Sequence, residues 1–501
     1  MRHSQYAQFR RRASGLVLSL IYSFIGRIIP PLTLKISACA RGKMINQFEW
    51  NGRTYNFQKK GGKNGVRSNL FTIIVGKNGT GKSRMLRSVV TSILREHVEP
   101  SNFDKDNSQP TRSEPIGTVK ITRPPTKIIC VSTSPFDKFP YLRRRSSIPY
   151  YSYLGLRGLP SMNLGPAYMS RIIYTLIEAA FKNAGQAAAI TDVLDYLGYE
   201  GAIRVTFSVT SLRLLEQIDN PIKARHIIEE YIGGSATTFN PDLQTQLTTL
   251  LSVSTAEFRQ VVKSAIRLSG GGRRSKIEVH LGDFGAAVNH PGEIDPQDIA
   301  LLGRYGLLKL REVVLHKKES EQPFRISELS SGEQSVIMGL LGIGSQIEDG
   351  ALICIDEPEI CLHPEWQERY IQLLSRIFSS FRECHFIVAT HSPQIIAQLP
   401  DKNCFVMQME DGVAHPAGDF TSRSVDYQLA LVFKAPGFKN EYLSRIAINT
   451  FAKIGKLRAF DEESEVNLRL LNAMHEHLRS DDPLRELIES LREMRGAYGR
   501  H

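Results

Sequence analysis

Two short apolar runs within residues 326–396 constrain the fold of this 501-residue chain more than any other part of it. Residues 351–355 lead directly into Asp356-Glu357-Pro358, and residues 385–389 lead into Thr390-His391-Ser392. Apolar runs of this length predict buried parallel strands. Because open α/β sheets bind ligands at the edge where parallel strands end, the pattern predicts an α/β fold with a polar site at that edge.

The residues at these strand ends are suited to phosphate chemistry. Asp356 fits Mg²⁺, directly or through water, because Mg²⁺ prefers oxygen ligands and uses few protein carboxylates. Glu357 could orient or deprotonate an attacking water, and His391 brings an imidazole to the same edge. Upstream, residues 330–334 (SSGEQ) precede an apolar helix, so backbone N–H groups and the helix dipole are offered to an anion.

A second motif follows the apolar run at residues 71–75. Gly76-Lys77-Asn78-Gly79-Thr80-Gly81-Lys82-Ser83 matches the P-loop pattern G-x-x-x-x-G-K-[ST] between a predicted strand and a predicted helix. The glycines let backbone N–H groups wrap phosphates, Lys82 reaches the outer phosphates, and Ser83 can bind Mg²⁺ beside Asp356. The expected phosphate-binding residues are Gly76, Asn78, Gly79, Gly81, Lys82 and Ser83.

Taken together, these motifs resemble the ATP-binding-cassette superfamily, in its soluble branch with the SMC, RecF and OLD proteins. ELSSGEQ (328–334) resembles the family signature, ALICIDEPE (351–359) the Walker B strand, and His391 the switch histidine. The sequence E-P-E-x-x-L-H-P-x-W-Q (357–367) resembles the OLD-like and PtuA-like ATPases of bacterial anti-phage systems.

The resemblance implies a P-loop ATPase domain with a mixed sheet, using ATP and Mg²⁺. Glu357 and His391 would be its catalytic residues, and Ser83 and Asp356 its metal ligands. In this superfamily the signature of one subunit covers the nucleotide held by another. Ser331, Gly332 and Glu333 would therefore complete the nucleotide site of a partner copy, and ATP would bridge two protomers.

Net charge and cysteine content set the cellular context. Residues 1–43 hold eight Lys or Arg and no acid, so the total of +12 leaves only about +4 for the rest of the chain, and the charge alone does not argue for nucleic acid. The leader's apolar stretch is too short for a membrane span, so no membrane partner is expected. The six cysteines form no CxxC pair, and Cys130, Cys354 and Cys384 lie in or beside apolar strand runs, which favours buried thiols in a reducing cytoplasm. Cys361 and His363 alone do not predict a metal site.

The predicted organisation has five segments. Residues 1–43 are a leader outside the fold, 44–159 an ATPase lobe with the P-loop, 160–304 a mostly helical, compact insertion, 305–435 the lobe with signature, Walker B strand and His391, and 436–501 a helical docking region. Predicted helices span residues 170–183, 192–197, 212–231, 242–268, 442–454, 466–478 and 483–494. Strands are expected near 202–210 and 276–281.

Three positions leave alternatives open. No glutamine follows the predicted strand at residues 127–133, where cassette ATPases carry one, and Ser134 and Asp137 are the candidates to replace it. Trp50, Tyr55 and Phe57, in a predicted edge hairpin, would either stack on adenine or pack the sheet. Arg143-Arg144-Arg145, among tyrosines, would either contact nucleic acid or lie in a solvated loop.

Three functions compete. The first is a PtuA-like regulatory ATPase of anti-phage defence, whose ATP-bridged dimers control a separately encoded HNH-type nuclease and could bind DNA, msDNA or RNA. The second is a DNA-repair clamp ATPase of RecF/SMC type. The third, the energising subunit of a transporter, is disfavoured by the missing glutamine and by the sequence after Glu357. The chain has no convincing H-N-H arrangement and little room for a TOPRIM domain, so the nuclease is expected on another chain.

Overall fold

The computed structural model describes most of the chain. The described residues are 44–58, 68–95, 117–141, 149–157, 159, 164–209, 223–233, 241–270, 276–290, 294–320, 322–360 and 362–498. The predicted leader, the arginine triplet at 143–145 and Cys361 lie outside them.

The described residues form fifteen strands and fourteen α-helices, numbered in chain order. The strands are β1 (Ile45–Trp50), β2 (Arg53–Asn56), β3 (Leu70–Val75), β4 (Thr118–Ile121), β5 (Ile128–Ser132), β6 (Tyr151–Leu154), β7 (Tyr199–Val209), β8 (Lys276–Gly282), β9 (Gly285–Asn289), β10 (Leu308–Lys317), β11 (Pro323–Arg325), β12 (Leu352–Asp356), β13 (His385–Ala389), β14 (Cys404–Gln408) and β15 (Ala414–Pro416). The helices are α1 (Lys82–Leu94), α2 (Leu164–Lys182), α3 (Ala184–Tyr196), α4 (Ala224–Gly233), α5 (Pro241–Leu251), α6 (Thr255–Gly270), α7 (Pro296–Arg304), α8 (Ser331–Gly344), α9 (Pro364–Ile377), α10 (Pro393–Ala397), α11 (Val425–Tyr427), α12 (Glu441–Leu457), α13 (Glu462–His475) and α14 (Leu484–Tyr498). A π-helix, Gln428–Val432, follows α11.

A seven-stranded sheet is the centre of the fold, in the order β15-β14-β3-β13-β12-β5-β6. Its strands run parallel except for β15, which pairs antiparallel with β14. The predicted strands at 71–75, 127–133, 351–355, 385–389 and 404–408 are confirmed. In register, Asp356 lies across from Ala389 on one side and Ser132 on the other, and Ala389 lies across from Ile74. This alignment places the loops after β3, β5, β12 and β13 along one edge, as the apolar runs predicted.

Both faces of this sheet are covered, which explains why its strands read as continuous apolar runs. Along β12, Leu352 and Cys354 pack with α1 on one face, and Ile353 and Ile355 pack with the helices of the other face. On the α1 side, β2, β1 and β4 form a three-stranded antiparallel sheet over the core. The predicted edge hairpin is confirmed, since β1 and β2 pair around the turn at Asn51-Gly52.

The interval 160–304 is mostly helical and contains β7 and β8 where strands were predicted, but it does not form a sheet of its own. Its strands β7, β8 and β9 join β10 and β11 in a five-stranded antiparallel sheet, in the order β11-β10-β7-β8-β9. Val205 of β7 lies across from Val279 on one side and from Val313 of β10, beyond the interval, on the other. The interval therefore shares its sheet and core with later residues, and the five-segment division stays a prediction.

The predicted helices at 170–183 and 192–197 correspond to α2 and to the end of α3. Residues 212–222 of the predicted helix 212–231 lie outside the described residues, and α7 was not predicted. The predicted helix at 242–268 is two helices, α5 and α6, separated at Ser252–Ser254. The Ser254 side chain accepts a hydrogen bond from the backbone N–H of Glu257, so a serine cap starts the second helix.

Three C-terminal helices, α12, α13 and α14, are confirmed where they were predicted. They share an apolar core that includes Leu443, Leu471 and Ile488. The start of α12 is fixed to the preceding segment, because the Asn440 side chain donates hydrogen bonds to the carbonyls of Asp426 and Pro436. Within the described residues, every helix is too short or too polar to cross a membrane.

Candidate active site

The phosphate loop between β3 and α1 has the backbone shape that its glycines permit. Gly79 and Gly81 have φ angles of 80° and 98°, in the left-handed region that glycine adopts at little cost. Thr80 closes the loop, because its backbone N–H and its hydroxyl both donate to the carbonyl of Lys77. Helix α1 then begins at Lys82, so its free N–H groups and dipole point into the loop.

Lys82 is the central cation of the site. Its Nζ donates to the carbonyls of Gly76 (2.9 Å) and Lys77 (3.2 Å) and to Nδ1 of His391 (2.9 Å). Burial lowers the pKa of Lys82 to about 8, although the nearby carboxylates of Glu357, Glu359 and Asp356 oppose the shift. The residue is only 3% exposed, so its charge is held in a poorly solvated place facing the loop.

Ser83 and Asp356 meet at the end of β12. The Ser83 hydroxyl donates to Oδ1 of Asp356 over 3.0 Å, although 273 residues separate them in the chain. Burial raises the pKa of Asp356 to about 7; the Ser83 hydrogen bond opposes this shift, and the charge of Glu357 adds to it. A hydroxyl and a carboxylate side by side are hard oxygen donors. They fit Mg²⁺, which commonly takes one or two protein oxygens plus phosphate oxygens and waters.

Glu357 occupies a strained backbone position directly after Asp356. Its φ of 50° is uncommon for a residue other than glycine, and its backbone N–H donates to the carbonyl of Ala389 over 2.9 Å. That hydrogen bond continues the ladder between β12 and β13, and the Glu357 side chain beyond it is partly exposed. Strain of this kind, about 1–3 kcal/mol, persists where the surroundings impose it and is frequent at active sites.

His391 links the phosphate loop to Glu357. Its Nδ1 accepts from Lys82, and its Nε2 lies 3.2 Å from Oε1 of Glu357. One neutral tautomer satisfies both contacts, with the proton on Nε2 donated to the carboxylate. The hydrogen bond from His391 is the main reason that the pKa of Glu357 lies below its ordinary value, which keeps this carboxylate ionised.

Two residues that hold the His391 loop were missed by sequence reasoning. The backbone N–H of His391 donates to Oε1 of Glu359, and the hydroxyl of Ser392 donates to Oε1 of Gln367. Gln367 lies on α9, and its own amide donates to the carbonyl of Leu362. The E-P-E-x-x-L-H-P-x-W-Q stretch therefore joins the strand end of β12 to the loop after β13. The sequence signal for these two roles was the presence of polar residues, Glu359 and Gln367, two and ten positions after Glu357.

The residues after β5 occupy the place where cassette ATPases carry a glutamine and this chain has none. The carboxylate of Asp137 is fully buried, accepts from the hydroxyl of Tyr153 (2.5 Å) and pairs with Arg157 (3.1 Å). The hydroxyl of Ser134 accepts from the backbone N–H of Phe136 within its own turn. Both side chains thus have partners at this end of the sheet. Which of them, if either, replaces the glutamine stays a prediction.

The signature residues lie at the start of α8. Ser330 and Glu333 form a capping box: the Ser330 hydroxyl accepts from the N–H of Glu333, whose carboxylate accepts from the N–H of Ser330. Ser331 is exposed and Gly332 is buried in this first turn. A small cavity between α8 and the ends of β5 and β12 is lined by Ser335, Thr133 and Asp356, among others. The signature helix and the strand-end carboxylate are thus close within one chain.

The hairpin aromatics mostly pack the sheet. Phe57 and Tyr55 are buried in the α1-side core, and Phe57 meets His385 edge to face. Trp50 differs, because a Cβ added to Gly81 would lie 3.3 Å from its ring. Packing therefore accounts for Tyr55 and Phe57, while Trp50 also lies against the last glycine of the phosphate loop.

One further contact reaches the phosphate loop from the C-terminal helices. Nζ of Lys77 lies 3.3 Å from Nδ1 of His477, in the turn between α13 and α14. This histidine is 400 residues away in the chain and belongs to no motif, so no sequence signal pointed to it.

The arrangement of sheet, phosphate loop and strand-end carboxylates defines a class of protein. A family profile described as "AAA domain, putative AbiEii toxin, Type IV TA system" matches residues 215–397, which include the signature, Asp356, Glu357 and His391 but not the phosphate loop. The chain has a mixed α/β fold in which a phosphate loop and strand-end carboxylates lie at one edge of a largely parallel sheet.

Individual relatives match over short stretches. The chain is 27% identical to Retron Ec83 probable ATPase of Escherichia coli over 104 residues, 19% of each protein. It is 32% identical to Protein ea59 of Escherichia phage lambda over 76 residues, 15% of this chain and 14% of that protein. The match thus spans less than a fifth of the length of these curated relatives. An SMC head bound to the C-winged helix domain of ScpA aligns with 74% of this chain and 96% of that one, at 15% identity and a TM-score of 0.27.

Proposed function

We propose that this chain binds and hydrolyses ATP with Mg²⁺. The observation that carries the proposal is the chain of contacts Lys82–His391–Glu357 beside the Ser83–Asp356 pair. Five residues from three separate sequence motifs converge there. A cation for phosphates, oxygen donors for a metal and a carboxylate for water are the parts that phosphoryl transfer to water needs.

Each residue has a distinct part in this reaction. Lys82 and the backbone N–H groups at Gly76, Asn78, Gly79 and Gly81 would bind the phosphates. Ser83 and Asp356 would hold Mg²⁺, which would supply positive charge beside the phosphate oxygens. Glu357, kept ionised by His391, orients the attacking water and accepts its proton. Glu359 and Gln367 are positioning residues that fix the loop carrying His391.

The proposed working unit is a dimer bridged by ATP. Ser331, Gly332 and Glu333 of one protomer would cover the nucleotide held by the phosphate loop of the other. Support comes from the capping box at Ser330 and Glu333, which fixes the first turn of α8 with Ser331 exposed to a partner. Hydrolysis would then act as a switch, because the closed dimer favours ATP over ADP.

We place this ATPase in anti-phage defence, as a PtuA-like regulatory subunit that controls a separately encoded HNH-type nuclease in the cytoplasm. The similarity to Retron Ec83 probable ATPase supports the defence setting, although it covers a fifth of the chain. A nucleic-acid cofactor (DNA, msDNA or RNA) is part of the proposal.

The second candidate is a DNA-repair clamp ATPase of RecF/SMC type. It is kept because the motif order 76–83, 330–334, 356–357 and 391 is shared by that branch. DNA-stimulated ATP turnover by the isolated chain favours repair, whereas a nuclease that co-purifies in fixed stoichiometry favours defence.

The decisive experiment compares ATP turnover and ATP binding in wild type, Glu357→Gln and Lys82→Ala. Glu357→Gln should lower turnover by about 100-fold or more, because the proton acceptor is lost, while ATP still binds and dimers accumulate in size-exclusion chromatography. Lys82→Ala should instead weaken ATP binding by about tenfold or more, because a buried cation facing the phosphates is removed.

The matched control is Lys402→Ala, at an exposed lysine outside the site. It should leave both turnover and ATP binding unchanged. Turnover of Glu357→Gln within a factor of about two of wild type would rule out its assigned role.

A further inference from the structure

Helix α12 has an apolar stripe on its solvent side. Its inner side is buried in the C-terminal core through Leu443, Ala447, Thr450 and Ile454. On the outer side Ile448 is 58% exposed and Phe451 is 40% exposed, and Ala452 and Gly455 are exposed beside them. A surface helix usually carries polar residues on the side away from its core. The outer face of α12, defined as Arg445, Ile448, Phe451, Ala452, Gly455 and Lys456, departs from that pattern at its centre, with the exposed polar residues Glu441 and Asn449 beside it.

Packing within the described chain does not explain why residue 455 is a glycine. It lies inside a 17-residue helix, where glycine costs about 1 kcal/mol relative to alanine. A Cβ added there would meet no heavy atom within 4 Å, so no neighbour in the described chain requires the missing side chain. A residue without a side chain does allow another backbone to approach closely from outside.

Arg445 and Lys456 flank the stripe and are exposed; the structure shows no ion pair for either among the described residues, and Glu441, one turn before Arg445, is the exposed acid on the same helix. The nearby Lys453 differs, because it forms ion pairs with Asp461 and Glu463 at the start of α13. Two cations beside an exposed apolar stripe are complementary to a surface with an apolar centre and acidic flanks.

Three other ligands could be considered for this face: residues 1–43, a second copy of the chain and nucleic acid. Residues 1–43 carry eight Lys or Arg and no acid, so they would be repelled by Arg445 and Lys456. A second copy docking through the same face would oppose like charges. Nucleic acid binds mainly through phosphate contacts, whereas the centre of this face is aliphatic and aromatic, as in the cores of protein–protein interfaces.

We propose that the outer face of α12 docks an acidic amphipathic helix of a second protein. The helix would lay its apolar stripe along Ile448, Phe451 and Ala452, approach closely at Gly455, and place carboxylates beside Arg445 and Lys456. This deepens the proposed function, since it rests on a partner controlled by the ATPase, but it can fail while ATP hydrolysis stands.

The first test uses two synthetic helical peptides with the same leucine stripe, one flanked by glutamates and one by lysines, titrated against the full chain. The glutamate peptide should bind about tenfold more tightly or better, and Ile448→Glu should abolish its binding. In the double variant Arg445→Glu/Lys456→Glu the preference should reverse. Equal affinities, or no binding of either peptide, would overturn the proposal.

The second test identifies the natural occupant. A photo-reactive phenylalanine replaces Ile448 in the full chain, expressed in its native host, and the cross-linked segment is sequenced; the same residue at the exposed Glu493 of α14 is the matched control. The expected adduct, at position 448 only, is a segment of another protein with an apolar stripe and flanking acids. An adduct with nucleic acid, with residues 1–43 or with a second copy, or no adduct, contradicts the proposal.

Gly455→Ala separates docking from folding. The change should preserve or raise the melting temperature, since alanine is the better helix former, yet it should weaken binding of the glutamate peptide. ATP turnover is measured on the same variants. Normal turnover with lost docking isolates the α12 face, whereas a wild-type chain without turnover refutes the proposed ATPase independently of docking.

Discussion

At the scale of single residues, the catalytic candidates were readable from sequence and their supports were not. Lys82, Ser83, Asp356, Glu357 and His391 stand in fixed-order motifs, so their residue types and spacing predicted a shared site. Glu359 and Gln367 act through hydrogen bonds to a loop more than twenty residues away, and such contacts depend on how β12, β13 and α9 pack. Spacing along the chain does not encode that packing.

Glu359 offers a test of positioning as distinct from chemistry. Glu359→Ala removes the acceptor for the N–H of His391, so the loop should lose its fixed position and turnover should fall by about tenfold to 100-fold. ATP binding should stay near wild type, because Lys82 and Ser83 are untouched.

Glu359→Gln keeps an acceptor oxygen in place and is the matched control. Steady-state kinetics should show a lower kcat with little change in KM for the alanine variant, and most of the activity retained by the glutamine variant. A glutamine variant as slow as the alanine variant would mean that the charge of Glu359, and not its hydrogen bond, is what matters.

Arg157 is the counterion of the buried Asp137. Burial raises the pKa of Asp137, and Arg157 and Tyr153 oppose that shift. Arg157→Met leaves a buried carboxylate without its cation and should destabilise the fold by about 3 kcal/mol at neutral pH. This loss of stability depends on pH. Removing Arg157 raises the pKa of Asp137 further in the folded state, so folding is penalised when Asp137 is ionised. The penalty is full above that pKa and fades as the pH falls through it.

Thermal unfolding at pH 7.5 and pH 5 measures this effect. The gap in melting temperature between wild type and Arg157→Met should shrink at the lower pH. In the double variant Asp137→Asn/Arg157→Met the residual loss should not depend on pH. A gap that widens at pH 5 would contradict the assignment.

At the scale of elements, period and length predicted most strands and helices, and the antiparallel sheet β11-β10-β7-β8-β9 shows that they could not predict how strands pair. β7 was predicted as a strand, but its partners β8 and β10 lie about 70 and 100 positions later. Pairing over such separations is set by tertiary packing, so the interval was predicted as a separate, mostly helical insertion with two strands of unknown partners. The contact between His477 and the phosphate loop was out of reach for the same reason.

His477 allows the link between nucleotide and C-terminal helices to be measured. The Lys77–His477 contact is exposed and contributes under about 1 kcal/mol, so His477→Ala should change ATP affinity by no more than about fivefold. ATP binding in the wild type should alter hydrogen exchange in the turn between α13 and α14, and this response should vanish in the variant, because the contact carries it. His226→Ala, at an exposed histidine on α4, is the control and should keep the response. An unchanged response in His477→Ala would show that the contact transmits nothing.

At the scale of the whole molecule, the chain divides its work between a nucleotide site and surfaces that the nucleotide chemistry does not use. The phosphate loop, the strand-end carboxylates and His391 all lie at one edge of the central sheet. The helices α12, α13 and α14 share a core with Ala430, and His477 in the turn between α13 and α14 contacts Lys77 of the phosphate loop. Sequence located these helices as amphipathic, but it could not show which apolar residues of α12 stay uncovered, because that depends on how α13 and α14 pack against it.

Removing residues 440–501 tests that division. The deletion takes away the C-terminal core as a unit and leaves the central sheet, so ATP binding by the remaining chain should persist within about tenfold of wild type. Binding of the partner that cross-links at position 448 should be lost completely, because the deletion removes the whole outer face of α12. The point variant Ile448→Glu is the control, since it should lose the partner without loss of thermal stability. Co-purification of the truncated chain with that partner at wild-type stoichiometry would move the docking surface to the segment 160–304.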